Sequence, residues 1–177
     1  MNCNNILLTG DIKVGKSTII NKVINKYFER NYISGFKTLP FYEDEKVKGY
    51  YMEDQLEKGV IPNIENIVGV KSTDCERCFG ITEVFEKKGV DILSKSIDSE
   101  SDLVLLDEIG FFESKAGKFK KSIHKILDSN NKVLGVLKKR NTEFIQSIRD
   151  REDVFIIEVT ERNRNTMVDK IVEYWRL

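Results

Sequence analysis

The sequence predicts an α/β fold: a mostly parallel sheet flanked by helices, with an antiparallel hairpin at one edge. Three observations lead there. Residues 10–18 read GDIKVGKST, an unbroken G-x-x-x-x-G-K-[ST] pattern between an apolar run and an amphipathic one. The run Leu103-Val104-Leu105-Leu106 is apolar throughout, as in a strand buried on both faces of a parallel sheet, and it ends on Asp107-Glu108. Strand-like and helix-like stretches alternate along most of the remaining chain.

Residues 5–9, Asn-Ile-Leu-Leu-Thr, make the first strand. Residues 17–30 follow as a helix, with Ile19, Ile20, Val23, Ile24, Tyr27 and Phe28 on one face and Asn21, Lys22, Asn25 and Lys26 on the other. Gly35 opens a different pattern, in which residues 36–42 and 47–53 are β-prone runs separated by Glu43-Asp44-Glu45, a hairpin. Residues 59–66 read as a loop and 67–71 as a short strand. A turn is expected at 75–78 and a further strand at 79–86.

Val90, Leu93 and Ile97 then mark a short helix, and 103–106 is the apolar strand. A helix stripe follows at Phe119, Ile123, Ile126 and Leu127. His124 stands off that stripe beside Lys120, Lys121 and Lys125, and is expected on a solvated face without a role. Residues 132–137 form a strand, 142–149 a helix and 154–159 a strand. The final helix presents Met167, Val168, Ile171, Val172 and Trp175 to the core.

The 177 residues suit one domain spanning 1–177. Lys+Arg and Asp+Glu number 29 each, so no basic surplus suggests a chain devoted to nucleic acid, and none is expected as partner. No apolar run reaches the length of a membrane span, and the N-terminus enters a strand without a signal-like pattern. The expected compartment is the cytoplasm, and a monomer is the default. Three cysteines give no disulfide framework. Cys75-Glu76-Arg77-Cys78 is a C-x-x-C that a metal, a redox pair or a plain loop could explain, and the lack of a second pair favours the loop.

The glycine-containing motif supplies the chemistry. A strand–loop–helix turn points backbone N–H groups at a polyphosphate, so Gly10, Asp11, Ile12, Lys13, Val14, Gly15, Lys16, Ser17 and Thr18 are candidate nucleotide-binding residues. Chance produces such a match in roughly one chain of this size in a hundred. Lys16 would reach the β- and γ-phosphates, and the Ser17 hydroxyl would ligate Mg²⁺. In open α/β sheets ligands bind at the carboxyl ends of strands. Asp107 is therefore the second candidate Mg²⁺ residue and Glu108 the candidate activator of an attacking water. Glu113 reads equally as a further acidic contributor or as an acid at a helix start.

The run Leu106-Asp107-Glu108-Ile109-Gly110, then Glu113 and Phe119, resembles the D-E-I-G-x-x-E signature of the small P-loop nucleoside-triphosphatases, the family of the cancer-related nucleoside-triphosphatase. Gly35-Phe36-Lys37-Thr38 with Gly49-Tyr50 is similar to that family's G-F-x-T hairpin. Val133-Leu134-Gly135 resembles its next core strand, Ile148-Arg149 stands before 154–159 as in the family, and Thr160-Glu161-Arg162-Asn163-Arg164 matches T-x-x-N-R. The resemblance spans almost the whole chain. It implies a RecA-like P-loop fold, Mg²⁺ dependence, and hydrolysis of ATP, GTP and related nucleoside triphosphates to diphosphates with loose base selectivity.

There are departures. The family loop is usually G-x-P-G-x-G-K-T, whereas Asp11, Ile12, Lys13 and Val14 fill the variable positions here and Ser17 replaces Thr. An arginine-containing stretch common after the hairpin is missing from 52–59, which leaves Arg77 or the Lys138-Lys139-Arg140 cluster to supply any transition-state cation. Asn163 and Arg164 are candidates for the base or ribose side, Arg164 stacking on the base and Asn163 holding its loop. The alternative is Asn163 capping the last helix. Two other readings use the same loop. One is a nucleotide or small-molecule kinase, for which Arg140, Arg149, Arg151, Arg162 and Arg164 are the nearest thing to an arginine lid. The other is a nucleotide-dependent switch with slow hydrolysis.

Overall fold

The structure is a computed structural model that describes residues 4–28, 32–72 and 77–176. Eight strands form one sheet in the order β5-β4-β3-β2-β6-β7-β1-β8. The parallel portion comprises β2 (Ile33–Glu43), β6 (Leu103–Ile109), β7 (Val133–Leu137), β1 (Asn5–Thr9) and β8 (Val154–Glu158). β3 (Lys46–Asp54), β4 (Ile67–Lys71) and β5 (Cys78–Gly80) extend one edge antiparallel. This is the predicted architecture.

Successive side chains of a strand point to opposite faces, so each apolar run feeds two cores. On one face Ile6 and Leu8 of β1 and Leu103 and Leu105 of β6 pack against α1 (Lys16–Tyr27). Leu7, Val104 and Leu106 face the other way, toward three helical segments introduced below. β1 is buried throughout and β6 from Leu103 to Leu106, which is why those runs lack polar alternation.

The hairpin is longer than its β-prone runs. β2 begins at Ile33, because residues 33–37 pair with β6, and Gly35 lies inside the strand rather than before it. Its φ is +93°, and a β-carbon there would meet the Leu105 carbonyl oxygen at 2.0 Å, so no other residue fits. The turn is the two-residue Asp44-Glu45, both at positive φ (47° and 60°), the geometry that matches strand twist in a tight hairpin.

The strand expected at 79–86 is corrected. Only Cys78–Gly80 is extended, and a helical rod starts at Thr82: α2 (Thr82–Val84), a wider turn at Phe85–Gly89, and α3 (Val90–Asp98). Val84, Phe85, Ile92 and Leu93 are buried at helical spacing, and Phe119 packs edge-on against Phe85 with ring centroids 5.0 Å apart. A short apolar run reads equally as strand or helix, and the packing decides.

α4 (Gly117–Leu127) and α5 (Glu143–Arg149) complete that face. α6 (Met167–Trp175) lies with α1 on the other, burying Met167, Ile171 and Trp175. Among the described residues no helix is long and apolar enough to cross a membrane.

His124 is also corrected. It is half-buried, its Nε2 lies 3.1 Å from Ser147 Oγ, and its ring meets Phe144 edge-on at 5.9 Å. α5 packs over the flank of α4 that a helical wheel assigns to solvent.

A candidate phosphate site at the carboxyl edge of the sheet

The turn between β1 and α1 is a compact loop anchored by Val14, which is buried, while Asp11, Ile12 and Lys13 are exposed. Gly10 and Gly15 have φ of 141° and 114°, and Lys13 is left-handed at 64°. A β-carbon on Gly10 would meet the Val159 carbonyl oxygen at 2.4 Å. These conformations turn the chain back on itself before α1, as backbone N–H donation to an anion requires.

The Lys16 ammonium lies across this loop, donating to the carbonyl oxygens of Gly10 (2.8 Å) and Asp11 (2.7 Å). Burial lowers its pKa, against the opposing pull of the carboxylates of Glu108, Asp107 and Asp11. Ser17 and Thr18 stand exposed on the first turn of α1.

Asp107 and Glu108 lie at the end of β6. The register with β7 shifts between Leu106 and Ile109, so three residues of β6 span two of β7. Such a bulge re-aims side chains at a strand end. Burial pushes the Asp107 carboxyl up to about 6, helped by the Glu108 charge and opposed by Lys37 and Lys16. Glu108 is paired with Lys138 at 2.6 Å. Lys138 leaves the end of β7, where its N–H bonds the Ile109 carbonyl at 2.9 Å and its ammonium sits 5.5 Å from the Phe112 ring centre.

Glu113 is 2 % exposed and accepts a hydrogen bond from the Gly110 N–H. Burial raises its pKa above the ordinary carboxyl value. It closes the loop that follows Glu108, a bracing position rather than one open to ligand.

The oxygen-only donor set of Ser17 and Asp107 suits a hard cation that keeps much of its water, as Mg²⁺ does. Among the described residues no group of three or more His, Cys, Asp or Glu side chains gathers as a metal cage. Cys75 lies outside the described residues; Cys78 is half-buried at the start of β5.

On the far side of the loop, Asn163 staples residues 158–163. Its Oδ1 accepts from the Thr160 N–H at 2.8 Å and its Nδ2 donates to the Glu158 carbonyl at 2.8 Å, with no side-chain cap of the following turn. Arg164 reaches over the start of α1: a β-carbon on Gly15 would lie 3.7 Å from its Cδ. Lys139 ties the two strand ends together, bonding Asp11 at 3.1 Å and Glu158 at 2.7 Å. The negative charge that Asp11 brings to the loop is thereby neutralised.

An open cleft of about 1080 Å³ runs outward from Lys16, Glu108 and Lys138. Its outer wall is formed by Phe79, Phe111, Lys115 and Arg140. Of this wall the sequence singles out only Arg140, as a candidate transition-state cation; Phe79, Phe111 and Lys115 carry no signal of their own. Only the fold brings β5 opposite residues 111–115.

A family model described as NTPase matches residues 5–172. The nucleoside-triphosphatase THEP1 of Thermotoga maritima is 31% identical over 174 residues, covering 94% of this chain and 92% of that protein. The nucleoside-triphosphatase THEP1 of Methanosarcina barkeri is 27% identical over 179 residues, with 97% of each covered. In fold, the crystal structure of THEP1 from the hyperthermophile Aquifex aeolicus is similar at a TM-score of 0.73 and 22% identity, over 98% of this chain and 99% of that one. The solution structure of a human cancer-related nucleoside triphosphatase gives 0.71 and 22%, over 96% and 95%.

Proposed function

Because this chain belongs to the NTPase family, whose model spans residues 5–172, we propose that it hydrolyses nucleoside triphosphates, ATP and GTP among them, to diphosphate and phosphate with Mg²⁺ as cofactor. One observation carries the reading. Lys16, at the start of α1 after the loop that follows β1, and Glu108, next to Asp107 near the carboxyl end of β6, face one cleft, with β7 lying between the two strands. On this reading the protein works as a single-domain cytoplasmic monomer.

The loop N–H groups of residues 10–18 hold the phosphates, and Lys16 exchanges its two loop carbonyls for β- and γ-phosphate oxygens. Ser17 and Asp107 would hold Mg²⁺, which when bound neutralises charge on those oxygens. Glu108 takes the proton from a water as its oxygen bonds the γ-phosphorus and the bond to the β–γ bridging oxygen breaks. Lys138 aims the Glu108 carboxylate through their 2.6 Å contact, and it is the cation best placed for charge developing on the γ-phosphoryl group. Arg164 covers the base side, where a stacked guanidinium accepts any base.

Water as acceptor is favoured over a kinase acceptor by how the arginines are used. Arg151 is bound to Asp128 at 2.7 Å, while Arg140 and Arg164 sit on different sides of the loop, so they do not assemble into one lid. The test is phosphate release with Mg²⁺ and several triphosphates, with and without candidate acceptors. Release that needs no acceptor supports hydrolysis. Product that forms only on an acceptor would make the protein a kinase, and release that needs a protein partner would make it a switch.

A further inference from the structure

We propose that the cleft beside the phosphate loop is a second ligand site, shaped for a nucleoside monophosphate bound while a triphosphate fills the loop. The proposal rests on the phosphate-loop reading above.

The cleft meets the loop only at Gly10, Asp11, Ile12 and Lys16, the side that faces Glu108 and Lys138. Gly15, Ser17, Thr18 and Arg164 do not line it, so it lies beyond the γ-phosphate and away from the triphosphate's own base. Its volume of about 1080 Å³ far exceeds the room a γ-phosphoryl group and an attacking water occupy, a water's share of liquid being about 30 Å³.

Its walls carry two chemistries. Phe79 and Phe111 are 54% and 46% exposed, large rings left open to solvent at the cleft's rim. Flat apolar rings in a polar cleft suit a planar partner such as a nucleobase. Arg77, Lys115 and Arg140 are exposed cations that make no ion pair among the described residues, whereas Lys138 is held at Glu108 beside the loop and Lys139 at Asp11 and Glu158. The Arg140 guanidinium lies 6.0 Å from the Phe111 ring centre, so ring and charge are offered together. A ligand that answers both has an aromatic ring and a phosphate dianion. The equal numbers of acidic and basic residues favour a single nucleotide over a polymer, which would need a continuous basic track.

The test is calorimetric titration of AMP, GMP, CMP and UMP into protein saturated with Mg²⁺ and a β,γ-imido triphosphate, with a 5′-phosphorylated hexanucleotide as a second probe. At least one monophosphate is expected to bind at one further site per chain. The double variant Phe111→Ala, Lys115→Glu should lower that affinity by about tenfold or more, while triphosphate affinity and basal phosphate release stay as in the wild type. Three results overturn the second site alone: no monophosphate binding to the loaded protein, a monophosphate that competes with the triphosphate, or binding of the hexanucleotide only. A triphosphate that binds Lys16→Ala as well as wild type, or that fails to bind the wild-type protein, overturns the phosphate-loop reading and this proposal with it.

Discussion

Lys138 Nζ lies 2.6 Å from the Glu108 carboxylate, joining the carboxyl ends of β7 and β6 at the inner end of the cleft. If Glu108 is the base proposed above, this pairing orients it before any water arrives. Glu108→Gln should keep triphosphate and Mg²⁺ binding and lose hydrolysis by about 10²–10⁴-fold. Lys138→Ala should lower kcat by about 10²-fold with a smaller change in KM, and Lys138→Arg should restore part of it. Single-turnover phosphate release at saturating nucleotide checks both. A Glu108→Gln variant that binds poorly but turns over normally once saturated would remove Glu108 from the chemistry.

Lys16 spans the loop between two carbonyls that a bound phosphate would replace as its partners. Lys16→Ala should therefore abolish turnover and weaken triphosphate binding by about tenfold or more. Equilibrium binding and phosphate release read the two effects separately, and near wild-type release would take the loop out of the mechanism.

Asp107 is a desolvated carboxylate with Lys37 and Lys16 as its nearest opposing charges. Asp107→Asn keeps the shape and removes the charge. The Mg²⁺ concentration for half-maximal rate should rise by roughly an order of magnitude, with activity recovered at high Mg²⁺. An unchanged metal requirement would move the metal ligand elsewhere.

Asn163 and Arg164 are adjacent in sequence but do different work. Arg164→Ala should cost about 1 kcal/mol of affinity for ATP, GTP and CTP alike and leave the melting temperature unchanged. Asn163→Ala removes two 2.8 Å side-chain bonds and should destabilise the fold by about 1–2 kcal/mol. If Arg164→Ala lowers the melting temperature and spares affinity, the base side of the pocket lies elsewhere.

His124 makes stability depend on mild acid. Burial, with Arg151 nearby, holds its pKa below the ordinary 6.5. The unfolded chain therefore binds a proton more readily than the folded one. Stability is fully present above pH 6.5 and falls as pH drops through the depressed folded value. Between pH 7.5 and 5 the wild type should lose more of its melting temperature than His124→Gln. Parallel curves would show that the ring titrates as freely in the fold as out of it.

The parallel core and the glycine-bearing turn between β1 and α1 are legible in the sequence because both are local. Leu103 to Leu106 are apolar on both faces, and the loop needs only its own glycines and lysine. Residues 79–86 were misread because Val84 and Phe85 fit either period until Phe119 packs on them. His124 was misread because a helix wheel cannot know that α5 covers its flank. The Glu108–Lys138 pair depends on β7 lying next to β6, a neighbourhood set by strand order rather than by any stretch of sequence. The open phenylalanines of the cleft come from segments more than thirty positions apart, Phe79 and Phe111.

Strand β7 has one more consequence. By lying between β1 and β6 it acts as a spacer of fixed gauge. Neighbouring strands sit about 4.8 Å apart, so the lysine-bearing and carboxylate-bearing edges are held roughly 9–10 Å from each other. That spacing is written in backbone hydrogen bonds on both sides of β7, so it holds whichever way the side chains at the two strand ends turn.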